Sequence, residues 1–575
     1  MAWMHHRGTE EQRKEQMIPP LCLCASVVRS RSPKSRIQNP KSLCSLCSLC
    51  ALWLILPACV LAGDWPQWGN TPSRNMVSTE RNLPDSWNPG KKKENGNEFD
   101  LTTSQNVKWI ARLGSQSYSN PTVAGGKVFI GANNACPRDP RIAEGANGPQ
   151  DSGDRGVLLC FDEASGKFLW QLAAPKLKAG KANDWDLIGI CSSPAVEGER
   201  VYVVTNRCEL LCLDAGGLAN GNHGPFKNEG QYARDPDKLK GRGPEGFKDV
   251  PVSPLFADIL WRLDMIDELG VFPNNAANCS PLVDGGTVYC CTSNATDWTG
   301  VNVPSCLSPS LIAVDKKSGA LLWEDQLNLA AGARPDCGLK RRIFHGQWSS
   351  PSLGEVNGKK QVYFGGGDGC LYALDPQTGR AVWWADCVPE AYKRNDQGFV
   401  PYPDPKGFSG ICATPVFYKN RVYVALGQDP EAGEGVGALV CLDASKSGDI
   451  TSMGKIWVYD KVGRSMSTVS IYDGLLYIAD YAGYVHCLDA ESGAVQWTQH
   501  TGAHIWGSIL AADGKLYFGN EDGDAFIMAA GRKPKVLSKV NVDGPIYGTP
   551  IVANGVLYIA SQTHLFAIAD LQAAE

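Results

Sequence analysis

The sequence predicts an all-β chain closed into an eight-bladed β-propeller of four-stranded antiparallel blades. Three observations predict it: a hairpin pattern that recurs eight times, a turn-and-tryptophan pattern that follows it, and an incomplete blade at each end of the array.

The hairpins are SNPTVAGGKVFIG, SSPAVEGERVYVV, CSPLVDGGTVYCC, SSPSLGEVNGKKQVYFG, ATPVFYKNRVYVA, STVSIYDGLLYIA, GSILAADGKLYFG and GTPIVANGVLYIA. In each, small residues lead into an apolar run, a tight turn carrying Gly, Asp or Asn reverses the chain, and a second run carries an aromatic. Next come LLCFDEASGKFLW, LIAVDKKSGALLW, LYALDPQTGRAVW and VHCLDAESGAVQW. Here a third strand enters a turn at Asp, Gly supplies a positive φ, and a fourth strand ends in Trp. The shortest full repeat, from Val469 to Ile509, is 40 residues, the length that a four-stranded blade needs. Trp170, Trp261, Trp323, Trp383, Trp457 and Trp497 take the fourth-strand position and read as wedge fillers between neighbouring blades. The eighth unit stops at its third strand, LFAIAD, while NVKWIARLG with Trp109 stands before the first. Pairing the two closes the ring and removes its free edges.

The domain reading is a leader over 1–62, an N-terminal extension over 63–106, the propeller over 107–570 and a tail over 571–575. The apolar run from Leu49 to Ala62 is too short to span a bilayer comfortably. It follows Lys34, Arg36 and Lys41 and ends in small residues, as a secretory signal does. The expected location is therefore extracytoplasmic, periplasmic or secreted, with no membrane span. Cleavage after Ala62 is preferred; the alternative is a lipid anchor on Cys59 in Leu56-Pro57-Ala58-Cys59, where Pro57 fits poorly. The leader's length and its SLCSLCSLC stretch point to a translation start downstream of Met1. A net charge of -5 provides no basic field, which argues against nucleic acid as a partner.

Of 21 cysteines, Cys22, Cys24, Cys44, Cys47, Cys50 and Cys59 fall in the leader; the odd remainder implies at least one unpaired thiol. Cys160, Cys212, Cys441 and Cys487 read as small buried hydrophobes on strands. No CxxC pair or Cys/His cluster has zinc spacing after the leader.

Loop lengths locate the working face. First-to-second turns are brief. Long insertions follow second strands (132–156, 293–309, 428–437) or bridge blades (171–188, 324–345, 385–408), so they gather on one face over the first five units. The insertion 216–258 falls between third and fourth strands and belongs to the other face. First strands start at the crowded face and line the central channel. The residue three before the Pro of each hairpin, or its equivalent, gives Tyr118, Cys191, Asn278, Trp348, Cys412, Met466, Trp506 and Tyr547. Arg464 and His504 lie two positions earlier in units six and seven, and His345 and Gln347 add polar groups to the rim. This ring reads as a pocket for a flat ligand, or more plainly as aromatics that plug a narrow channel.

The form LYALDPQTGRAVW, and the opening DWPQWGNTPSRNMVS before a Trp-bearing strand and repeats, resemble the pyrroloquinoline quinone (PQQ) propeller superfamily. The resemblance runs from about Asp64 to Asp570. The superfamily includes quinoprotein alcohol dehydrogenases and a non-catalytic outer-membrane assembly lipoprotein. It implies the propeller; the matching residues are blade builders, so it implies little about activity.

For the dehydrogenases, the resemblance implies PQQ held over a Trp, calcium on carboxylate and amide oxygens, and an Asp base near an Arg. Candidates are Trp348 or Trp506 for the floor, Arg464 for the cation, and Asp184 or Asp186 for the carboxylates. His504 joins them as a catalytic candidate, and Tyr118, Tyr547, Asn278, His345 and Gln347 as cofactor-binding candidates. None lies in a motif that matches residue by residue. Cys290-Cys291 is similar to the vicinal disulfide of some alcohol dehydrogenases, yet strand alternation would point the two thiols to opposite faces. With no CxxCH after the propeller, a dehydrogenase would need an external electron acceptor. The expectation is a non-catalytic binding or scaffold module whose loop-rich face takes a protein, a glycan or a small molecule. The alternative is a PQQ- and calcium-dependent dehydrogenase of an alcohol or sugar.

Overall fold

All eight hairpins form, and each grows into a four-stranded antiparallel sheet, giving the predicted eight-bladed propeller. The computed structural model describes residues 63–571 except 95, 97, 147–150, 181–182, 235–252, 300–301, 326, 328–345, 390–409 and 428–432. The leader with Cys59, and His345, lie outside the described residues.

The innermost strands are Thr122–Ala124, Ala195–Glu197, Leu282–Asp284, Ser352–Val356, Val416–Tyr418, Ser470–Tyr472, Leu510–Ala512 and Ile551–Ala553. Second and third strands follow by antiparallel pairing and are almost wholly buried, because both of their faces meet neighbouring blades. The ring closes where Val107–Arg112 pairs with His564–Ile568, setting Trp109 opposite Ala567. Blade four gains a fifth, parallel strand, Gly448–Asp449, from a turn of blade five, which covers its outer edge.

The turn before each fourth strand explains the tryptophans. Asp315 Oδ1 accepts from Ser318 N at 2.8 Å, and Gly319 turns the chain at φ +71. The indole of Trp261, from the preceding blade, lies on that glycine: a Cβ there would come within 2.6 Å of the ring. Trp261 Nε1 then donates to Lys316 O at 3.1 Å. The same bond joins Trp170 to Ala215, Trp323 to Pro376, Trp497 to Gly531 and, across the closure, Trp109 to Glu163. Each of these indoles thus packs into the wedge between blades and satisfies its N–H there, whereas Trp457 packs on Gly493 with no partner for its N–H among the described residues and Trp383 donates to Gln361 Oε1.

The N-terminal extension has a role that repeat counting does not reveal. Between Gly63 and Glu80 the chain bonds to every blade at the channel end opposite the crowded face. Trp65 bridges Val123, Pro66 O accepts from Val196 N, Pro72 O from Leu353 N, and Ser73 O from Phe417 N. Asn75 exchanges two bonds with Ile471, Met76 O accepts from Ala511 N, and Glu80 Oε2 accepts from Gly555 N. Arg74 supplies the third blade: its Nη2 donates to Ser280 O at 3.2 Å and Pro281 O at 2.9 Å, while Nε donates to Pro351 O at 2.9 Å. Nη1 turns back to Trp68 O. This guanidinium is fully buried, and burial pulls it down to about 9. Its four carbonyl partners and the nearby Cys279 thiol make that burial tolerable.

Candidate functional site

The first strands and the segments that lead into them line a cavity of about 480 Å³, within the range of small-molecule sites. All eight positions of the predicted ring lie in its wall: Tyr118, Cys191, Asn278, Trp348, Cys412, Met466, Trp506 and Tyr547. The aromatics cluster on one side. Tyr118 and Tyr547 stack with ring centroids 5.0 Å apart and planes at 13°, and Trp506 lies 4.5 Å from Tyr547. Asn278 and Trp348 belong to the blades opposite, and Gln116, Trp185, Asp186, Ile188, Asn275 and Ala276 add to the lining.

Beneath this ring runs a belt of side-chain oxygens, one residue before each hairpin's Pro or its equivalent, and it links blade to blade. Asn120 N donates to Ser193 Oγ, Ser193 N to Ser280 Oγ, and Ser280 N to Ser350 Oγ. Further round, Thr468 N donates to Ser508 Oγ at 2.8 Å, Ser508 N to Thr549 Oγ1 at 2.7 Å, and Thr549 N to Asn120 Oδ1, which returns to the start. The small residues that open each hairpin are therefore the inner girdle of the ring. Trp68 joins the lining, its Nε1 donating to Thr414 Oγ1 at 3.1 Å. Neither the belt nor Trp68 was among the sequence candidates, although the recurring Ser or Thr before Pro was the available signal.

Burial governs the chemistry of the wall. It pushes the Tyr118 phenol and the Cys191 thiol each up to about 12, and it raises Tyr547, helped by the Glu521 carboxylate. These groups stay neutral. Among the described residues of the lining, Asp186, which is exposed, is the one charged side chain.

The remaining sequence candidates sit elsewhere. Asp184 is buried, paired with Lys176 Nζ at 2.7 Å, and accepts from Leu177 N and Asn206 Nδ2, so it braces the loop that carries Asp186. Burial raises its carboxyl against the pull of Lys176. Gln347 ties blade three to blade four, donating to Ser310 Oγ at 2.9 Å and accepting from Gly367 N. Arg464 is buried and donates to Gly433 O at 2.7 Å, in the segment that leads into blade five's third strand. His504 lies between Glu521 at 2.9 Å and Glu434 at 3.2 Å, stacked on Tyr481. The i, i+2 rule that placed Arg464 and His504 with the ring holds within paired strands, and both residues precede theirs.

PQQ is a tricarboxylate quinone, and calcium takes six to eight hard oxygens with several carboxylates among them. The described lining has no Lys or Arg to meet the first and a single carboxylate for the second, so it does not fit that pair. Cys290 and Cys291 are separate thiols: one Sγ contacts Cys291 O and the other Gln347 O. Cys306 is disulfide-bonded. Away from the cavity, ligand atoms of Asp214, His223 and Asp258 lie within 4.8 Å of one another in blade two. Both carboxylates there already hold the following loop, Asp214 through Gly216 N and Asp258 through His223 N, each at 2.7 Å.

Repeat, closure and central cavity define the class: an eight-bladed propeller of the PQQ-like type. The chain belongs to the PQQ_2 family, described as outer membrane protein assembly factor BamB, whose model matches residues 257–499 and 482–574. A curated relative, outer membrane protein assembly factor BamB of Xanthomonas campestris pv. campestris, is 27% identical over 191 residues, covering 29% of this chain and 46% of the relative. The chain thus spans about half of that relative's length. Among solved structures, a europium-containing methanol dehydrogenase aligns with a TM-score of 0.53 at 12% identity, over 88% of this chain and 98% of the other. BamB from Moraxella catarrhalis aligns with a TM-score of 0.46 at 15% identity, over 80% and 97%. At these identities the structural likeness speaks to the fold alone. Among the described residues no helix is long and apolar enough to cross a membrane.

Proposed function

We propose that the chain is an exported, non-catalytic binding module that receives its ligand through the loop-rich face and the central cavity beneath it. The observation that carries this reading is the wall: aromatic rings, amides and hydroxyls surround the cavity, and its described part has no paired carboxylates and no cation with which to activate a substrate or anchor PQQ. The assembly-factor description of its family and of its curated relative supports a scaffold acting outside the cytoplasm. The same face offers a protein partner a hold, because Trp298 is 80% and Leu307 71% exposed on the insertion of blade three.

The alternative, a PQQ- and calcium-dependent dehydrogenase, is tested directly. Purified protein is incubated with PQQ and Ca²⁺, then followed for a quinone absorption change and for dye reduction over a panel of alcohols and aldoses. We expect neither. Stoichiometric PQQ binding with turnover would overturn the binding-module reading.

A further inference from the structure

We infer that the cavity takes a neutral carbohydrate; this rests on the reading of the cavity as a ligand site. Three features of the wall point the same way. First, its described part is uncharged except for one carboxylate. The phenol of Tyr118 and the thiol of Cys191 are kept protonated by burial, and Asp186, the one charged group of the described lining, is exposed. An anion entering such a wall would lose hydration with no cationic side chain of the described lining to meet it, whereas a polyol brings no charge to desolvate.

Second, the wall is divided in a way that suits a pyranose. A sugar ring has an apolar C–H face and an equatorial rim of hydroxyls. The Tyr118, Trp506 and Tyr547 cluster offers a rigid aromatic surface to the face, since these rings hold one another at centroid distances of 4.5 to 5.7 Å. Asn278, on the blades opposite, carries an amide that both donates and accepts, as a hydroxyl does. In that wall the Trp506 indole N–H and Asn278 Oδ1 are buried and have no hydrogen-bond partner among the described residues, so each is a group that a ligand hydroxyl reaching it would satisfy.

Third, the belt below is a row of hydroxyls, with the Asn120 amide, that already accept main-chain N–H groups. Ser280 and Ser508 each accept a main-chain N–H from a neighbouring blade and line the cavity, so each keeps an O–H and a second lone pair with which to meet a sugar hydroxyl. At about 480 Å³, the cavity has the volume of a site for a small ligand, not for a long polymer, so the expected occupant is a short oligosaccharide or a chain end.

The test uses the purified chain, intrinsic tryptophan fluorescence and calorimetry. Neutral probes are maltotriose, cellotriose, xylotriose and triacetylchitotriose. Charged probes are trigalacturonate and PQQ, and 4-methylumbelliferone reports whether a neutral aromatic enters. W506A and N278A are compared with wild type after their melts confirm folding. We expect saturable binding of at least one neutral trisaccharide, weakened at least ten-fold in W506A and in N278A, with trigalacturonate silent. Binding of the umbelliferone or of a charged probe that W506A abolishes, with every neutral sugar silent, would overturn the carbohydrate assignment and leave the cavity a ligand site. Identical responses of wild type and W506A to all probes would overturn both.

Discussion

Trp68 Nε1 donates to Thr414 Oγ1 at 3.1 Å, joining a residue of the N-terminal segment to blade five across 346 positions of sequence. The bond sits where the segment lies against the hydroxyl belt, so the floor of the cavity and the clamp on the eight blades are one piece of chain. A propeller is a ring of radially stacked blades, and a segment that bonds to all of them resists opening at any seam.

Arg74 is the hub of that clamp. R74A leaves the carbonyls of Trp68, Ser280, Pro281 and Pro351 buried without their shared donor. Each unsatisfied group costs about 1–3 kcal/mol, so the loss should reach about 3 kcal/mol or more after relaxation. Urea unfolding should show it as a lowered midpoint, and R74K should recover only part because an ammonium lacks the planar fork. A wild-type midpoint in R74A would refute the hub.

Cys290 and Cys291 face different surroundings, one near Cys279 and the other against Gln347 O. Alkylation in denaturant without reductant, followed by peptide mass spectrometry, should therefore recover both as modified thiols. Cys306 should be modified only after reduction. A peptide carrying Cys290 and Cys291 that resists alkylation and lacks two hydrogens would establish the vicinal disulfide instead.

What was legible in the sequence is what is encoded locally. Period-two hairpins, the Asp and Gly of each third turn, and the tryptophan after it are decided within a dozen residues, so blade count and ring closure could be read. The cavity ring was legible too, because one repeated position maps to one circle in space. The clamp was not: DWPQWGNTPSRNMVS has no periodicity, and most of its partners are hundreds of residues away. Asp184, Gln347, Arg464 and His504 were misplaced relative to the cavity for a related reason. They sit in irregular segments, where side-chain direction follows contacts such as Lys176 with Asp184, and not strand alternation.

His504 provides a pH signature. Burial opposes its charge, but the hydrogen bonds that its ring N–H groups donate to the Glu521 and Glu434 carboxylates outweigh this and raise it above the ordinary 6.5. A base whose folded value is raised adds stability that is complete below 6.5 and fades as pH rises through the higher folded value. The melting temperature of wild type should thus fall over that window relative to H504Q, which has no such titration. The effect should be modest and salt-sensitive, because the imidazole is 37% exposed. Parallel pH profiles for the two proteins would remove His504 from this role.

The wedge between blades two and three can be measured at a single atom. G319A asks alanine to hold φ +71 and places its Cβ 2.6 Å from the Trp261 ring, whereas G285A asks for φ +57 with open space around it. The backbone term, about 1–2 kcal/mol, is common to both. G319A should therefore be the more destabilising in urea unfolding, by the added cost of displacing a packed indole, about 1–3 kcal/mol. In the W261A background that excess should vanish, since no ring remains to clash, and the two glycine substitutions should then cost nearly the same. If the excess survives without the indole, the glycine is there for its backbone alone and the tryptophan does not dock on it.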